Sequence, residues 1–262
     1  SSDFVFTEGP AADKAGNIYF TDQPNNRILK WSTNGEINVF MEDCGRSNGL
    51  YFDLNGKLLA CADENNQLWS IDIETKEVEV LVENFDGFKL NGPNDLWVAP
   101  NGGIYFTDPY YKRDYWVDAN KELEKESVYY ILPDRSKTIV VDQQVVKPNG
   151  IIGTRDGKTL YVADIGDSKT YSYIINPDGT LINKTLFCEM GSDGMTIDER
   201  GNVYLTNNGV FVFNNKGKQI EHIAIEQPWT ANVTFGGTTN STLFITAMNS
   251  VYTLEMNVKG GF

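Results

Sequence analysis

Three cysteines and one histidine are all that this chain of 262 residues offers to soft metals or to thiol chemistry. Cys44, Cys61 and Cys188 stand far apart with no CxxC pair, which excludes a zinc framework and a disulfide-rich scaffold. Buried thiols are the expectation, with one Cys44–Cys61 bridge left open for an exported protein. Positive charge is also scarce. There are 22 Lys and Arg against 36 Asp and Glu, for a net charge of -14. That balance argues against a nucleic-acid partner, which needs a basic face, and against docking on an anionic membrane. No apolar run approaches the ~20 residues that cross a bilayer as a helix. No window supports an amphipathic helix of useful length, and no G-x-S-x-G motif announces a nucleophilic serine. The lone His222 falls in a run expected to form an outer strand, without a partner. The chain begins Ser1-Ser2-Asp3 without Met, which reads as a processed or engineered terminus and leaves the compartment open.

What the chain does have is repetition. A small polar pair, an apolar run, a turn with Gly or Asn and a second β-type run recur six times, starting at residues 8, 48, 94, 149, 193 and 232. The first reads Glu8-Gly9-Pro10 to Gly16-Asn17-Ile18-Tyr19-Phe20. The third reads Asn94-Asp95-Leu96 to Gly102-Gly103-Ile104-Tyr105-Phe106, and the last, Asn232-Val233-Thr234, is the most worn. A period of roughly 40–50 residues made of short strands is that of a propeller blade. The expectation is an all-β, six-bladed β-propeller forming one domain over residues 1–262, with four-stranded antiparallel blades. Lys121–Glu126 is a charged insertion that lengthens the third unit. Each outer strand leads into the next opening residue, and Phe4–Phe6 leads in the same way into Glu8. Phe4–Phe6 is therefore expected to supply the outer strand of the last blade and close the ring.

Residues that open the inner strands of a propeller face one another at one mouth of the channel. Glu8, Asn94, Asn149 and Asp193 hold that position and offer two carboxylates and two amide carbonyls. An all-oxygen set suits one divalent ion in the central channel, Ca²⁺ before others. Taken singly, each Asn or Asp before Gly reads as a turn residue. Convergence at equivalent places in four repeats favours the metal. Asn48 opens the second unit and is a candidate to hydrogen-bond a substrate. Tyr110 and Tyr111, beside the mouth, are candidates to stack on a bound substrate, with Trp116 and Trp229 as further walls. Asp22, Asp63, Asp108 and Asp164 recur at the ends of second strands, which points to loop support.

The segments Glu8-Gly9-Pro10, Pro93-Asn94-Asp95-Leu96, Pro148-Asn149-Gly150, Ser192-Asp193-Gly194-Met195 and Gly103-Ile104-Tyr105-Phe106-Thr107-Asp108-Pro109 carry a resemblance over essentially the whole chain. The sequence resembles the SMP-30/gluconolactonase/luciferin-regenerating enzyme family. The resemblance implies a six-bladed propeller that hydrolyses sugar lactones with a channel metal held by Glu8, Asn94, Asn149 and Asp193. It further implies that Asp193 is the catalytic base. Gly92 stands where animal members carry an arginine, which points away from an animal-like substrate preference. The expected partner is a small lactone, and a monomer is expected. Rival readings are an organophosphate hydrolase on the same metal site and a non-catalytic binding propeller.

Overall fold

The computed structural model describes residues 4–261, so the reading of Ser1–Asp3 as a terminus lies outside the described residues. Six antiparallel sheets follow one another in chain order, and strand neighbours in the sheets are neighbours in sequence. Their innermost strands are Thr7–Ala12, Ser47–Phe52, Leu96–Val98, Pro148–Gly153, Met195–Ile197 and Asn232–Gly236. These begin blades 1 to 6 of a propeller, as the repeat predicts. Short hairpins suffice because each inner strand ends in a tight turn. Asp13, Asp53 and Asp198 each fold their carboxylate back onto backbone N–H groups two and four residues on.

Between blades the contact is largely aromatic and aliphatic. Phe20 of blade 1 meets Phe244 of blade 6 at 5.4 Å, and Trp97 and Tyr105 stack at 5.8 Å within blade 3. Fully burying one such side chain stabilises the fold by about 2–3 kcal/mol. Hydroxyls add a directional tie. Thr21 Oγ1 donates to the Asn48 carbonyl at 3.1 Å, Thr107 Oγ1 to Asn149 at 2.7 Å and Thr206 Oγ1 to Ala231 at 2.8 Å. The bonds run from one blade's second strand to the next blade's inner strand, or in the case of Ala231 to the residue just ahead of it.

The ring closes differently from the expectation. Among the described residues blade 6 has three strands, ending with Ser250–Glu255, while the other five blades have four. Phe4, Val5 and Phe6 form no strand. The physical reason lies in blade 1: Asp22 Oδ1 accepts the N–H groups of Val5 at 3.0 Å and Phe6 at 3.2 Å, so those donors serve a carboxylate and not a ladder. Phe4 packs edge-on against Phe20 at 5.5 Å and is buried with Phe244. The two ends of the ring are joined instead by Thr7, whose N–H reaches the Met248 carbonyl at 2.7 Å, and by Gly237 N–H to the Gly16 carbonyl at 2.9 Å.

Cys44, Cys61 and Cys188 are free and buried, so the Cys44–Cys61 bridge is not formed. Among the described residues no helix is long and apolar enough to cross a membrane.

Candidate active site

Three of the recurring aspartates turn out to build the site by proxy. Asp22, Asp108 and Asp164 each grip two successive backbone N–H groups just ahead of their own blade's inner strand: Val5 and Phe6, Asn91 and Gly92, Val146 and Lys147. The second of each pair lies two residues before Glu8, Asn94 and Asn149 respectively. Rigid entry of the chain thus fixes where those three side chains point. In blades 1, 2 and 4 a register shift follows the opening residue, between Glu8 and Ala11, Ser47 and Leu50, and Pro148 and Ile151. Such bulges re-aim side chains out of the ladder, here toward the channel.

The glycine that follows four of the six opening residues, Glu8, Asn48, Asn149 and Asp193, has a related cause. A Cβ on Gly9 would lie 2.0 Å from the Asn48 carbonyl oxygen, and one on Gly49 would lie 2.5 Å from that of Asn94. These glycines let adjacent inner strands approach, with Gly49 N–H bonded to the Asn94 carbonyl at 2.8 Å. Gly49 is a packing glycine, while Gly9, at φ +42°, serves a left-handed bend as well as the close approach.

Glu8, Asn48, Asn94, Asn149 and Asp193 line one cavity of about 570 Å³. Tyr111, Arg113, Lys147 and Trp229 are among the other residues of its wall. Asp193 is held from both sides: its Oδ1 accepts Asn149 Nδ2 at 2.9 Å and its Oδ2 accepts Trp229 Nε1 at 2.6 Å. Burial pushes the Asp193 carboxyl up to about 6, against the pull of these two donors and of Arg113. Glu8 accepts Gly9 N–H at 2.6 Å and Asn232 Nδ2 at 3.3 Å. Burial raises it well above the usual carboxylate range, and the neighbouring charges of Asp193 and Asp95 raise it further. Asp95 lies near and competes for the same Asn232 amide at 3.4 Å, and burial pushes it to about 8.

Asn149 is the informative member. Its Nδ2 donates to Tyr111 Oη at 3.0 Å as well as to Asp193, while its buried Oδ1 has no hydrogen-bond partner. The donors fix the amide's orientation and leave an acceptor oxygen beside two carboxylates that burial disfavours as anions. A hard divalent cation answers both needs at once. Among the described residues no cluster of three His, Cys, Asp or Glu side chains could hold a metal, so the fit depends on the amide oxygens.

A match to the family model described as "SMP-30/Gluconolactonase/LRE-like region" covers residues 6–249. The chain belongs to this family. A gluconolactonase from Zymomonas mobilis is 28% identical over 99% of this chain and 81% of its own length. The solved gluconolactonase from Xanthomonas campestris superposes with a TM-score of 0.90 at 28% identity, covering 97% of this chain and 87% of that one. Regucalcin from Agrobacterium tumefaciens, a calcium-binding protein, gives 0.82 at 18% identity over 99% of this chain and 92% of its own, a likeness of fold alone.

Of the residues singled out from the sequence, Glu8, Asn48, Asn94, Tyr111, Asn149 and Asp193 line the cavity. Tyr110 does not line the cavity: its hydroxyl donates to the Ala119 carbonyl at 2.5 Å and its ring packs on Trp116. Side chains one apart in an extended segment point to opposite sides, so Tyr111 and Arg113 face the cavity and Tyr110 turns into the insertion. Trp116 is buried with its Nε1 on the Asp63 carbonyl and does not line the cavity, whereas Trp229 lines it and bonds Asp193. Asp63 departs from its sister aspartates and receives Gln23, Arg113 and Tyr115. His222 bonds the Asn208 carbonyl and stacks on Phe211 in blade 5's outer strand. Arg113 and Lys147 were missed. Lys147 was within reach, since it stands in register with Phe6 and Gly92 ahead of its blade; Arg113 belongs to an insertion without a repeat counterpart.

Proposed function

We propose that this protein hydrolyses lactones, with sugar lactones of the glucono-1,5-lactone type as its substrate class. The observation that carries the reading is the unpartnered Asn149 Oδ1 set beside Glu8 and Asp193 in one cavity. The family and its gluconolactonase relatives support the lactone as the electrophile.

Glu8, Asn94, Asn149 and Asp193 would hold a divalent cation, Ca²⁺ by the hardness of the oxygen set. When bound, that cation supplies Lewis acidity toward an ester carbonyl and offsets the charge of an oxyanion. Asn149 keeps its oxygen inward because both its amide hydrogens are engaged. Asp193 is the base. Beside a cation its carboxylate would be held ionised at neutral pH, ready to accept a proton from an attacking water. Trp229 and Asn149 pin that carboxylate in place, so little reorganisation accompanies the transfer. The proton then passes to the ring oxygen as the C–O bond breaks, releasing the hydroxy acid. Asn48 and Tyr111 present an amide and a phenol to the substrate's hydroxyls.

Proton release from glucono-1,5-lactone and a panel of aldonolactones, with Ca²⁺ and with excess chelator, tests the reading. Turnover that chelation abolishes and Ca²⁺ restores is expected. Silence on every lactone in the presence of Ca²⁺ overturns it.

A further inference from the structure

Two cations stand on the cavity wall of a chain that is strongly acidic overall. Lys147 and Arg113 lie on the ring of Tyr111, with the ammonium 4.7 Å and the guanidinium 5.4 Å from its centroid. Tyr111 is tied by its hydroxyl to Asn149, so one phenol ring separates the amide at the proposed reacting end from both positive charges. Their accounts differ. Arg113 spends its Nε on Asp63 at 2.8 Å, and that buried carboxylate balances it. Lys147 has no ion-pair or side-chain hydrogen-bond partner among the described residues, although its backbone is clamped by Asp164 at 2.8 Å and by Ile165 N–H at 3.0 Å. Its stem is positioned and its charge is unspent.

A cation held against a binding cavity without a carboxylate of its own is a receptor for an anion. Under the lactonase reading, on which this inference rests, Glu8 and Asp193 are committed to a divalent cation. Asp63 is committed to Arg113, and the remaining charge at the wall is that of Lys147.

We infer that the preferred lactone carries a second, anionic group, a carboxylate or a phosphate at the end remote from its carbonyl, and that Lys147 receives it with the free edge of Arg113 beside it. A neutral aldonolactone fits the same cavity but leaves the ammonium without a counter-charge.

The test compares kcat/KM for glucono-1,5-lactone, for its 6-phosphate and for the 1,5-lactone of glucaric acid, in wild type, Lys147→Met and Lys147→Arg. Gluconate, 6-phosphogluconate and glucarate are titrated calorimetrically alongside. One charge-assisted contact predicts an anionic-to-neutral ratio of about tenfold or more in wild type. Lys147→Met should collapse that ratio through KM, and Lys147→Arg should retain most of it. Whichever anionic lactone shows the preference identifies carboxylate or phosphate. Equal turnover of all three lactones, or a ratio that Lys147→Met does not move, overturns the inference. If no lactone is turned over while 6-phosphogluconate or glucarate, each with a second anionic group, still binds more tightly than gluconate in a Lys147-dependent way, the lactonase reading fails and the anion receptor stands. If neither turnover nor discrimination appears, both fall.

Discussion

Replacing Asp193 by asparagine separates the structural from the ionic work of this carboxylate. Both its oxygens accept hydrogen bonds, from Asn149 Nδ2 and from Trp229 Nε1. An amide offers only one acceptor oxygen, so one donor would face an NH₂ group. A buried donor left unpaired costs about 1–3 kcal/mol. Against this, the substitution removes one of two carboxylates that burial already disfavours as anions, and so relieves Glu8. In chelator the two effects oppose each other, and Asp193→Asn should melt close to wild type. With the cation present the balance changes. A ligand at 100 times its dissociation constant stabilises wild type by about 2.7 kcal/mol, and a hundredfold weaker site gains only about 0.4 at the same concentration. For a domain of this size that is a rise in melting temperature of about 5–10 °C in wild type against about 1 °C in the variant. Thermal unfolding with and without Ca²⁺ reads the difference directly. An equal rise in both proteins would refute the pairing of Glu8 with Asp193 around one ion.

Three further outcomes are expected. In metal-free protein Asp193 at about 6 and Asp95 at about 8 hold protons more tightly than in the unfolded chain, where an aspartate titrates near 3.9, so ionisation opposes folding. Urea stability in chelator should therefore be greatest below about pH 4 as far as these groups are concerned, decline as pH rises through 6 toward 8, and then level off; a rise over that interval contradicts the burial assigned to them. Gly49→Ala drives a Cβ to 2.5 Å from the Asn94 carbonyl and 2.6 Å from Asp95 Oδ1, and should cost about 1–3 kcal/mol and weaken Ca²⁺ binding together; stability lost with affinity intact would detach the strand spacing from the site. Phe4→Ala should cost about 3 kcal/mol in urea unfolding, because the ring is buried against Phe20 and Phe244, and a cost under 1 kcal/mol would show that the N-terminal segment contributes little to closure.

The fold was legible because a propeller writes itself into sequence as a period, and each blade spells its hairpins with Gly and Asn. The opening residues were legible for the same reason: Glu8, Asn48, Asn94, Asn149 and Asp193 are equivalent by register and all reach the one cavity. What escaped were features that break the repeat. The insertion at 109–126 has no counterpart in the other blades, so whether Tyr110 or Tyr111 faced inward depended on its internal course, and Arg113 gave no sign. Ring closure escaped because Phe4–Phe6 has the pattern of a strand, while Asp22 takes two of its backbone donors. The dipeptides of Asn or Asp with Gly were legible as recurring but not as to cause: the close approach of inner strands is a tertiary fact that no local pattern reports.

The hydroxyl ties of Thr21 and Thr107 hold the carbonyls of Asn48 and Asn149, each on the blade after their own. The candidate ligands come from blades 1, 3, 4 and 5, and no single blade carries two of them. The coordination sphere is therefore a property of the circle and not of any arc of it. An ion would meet only scattered single oxygens on an incomplete chain, and would find its full complement when the last blade docks on the first. In such a molecule metal affinity would be a gauge of roundness: it would sense any strain that opens the ring, wherever along the circumference that strain is applied.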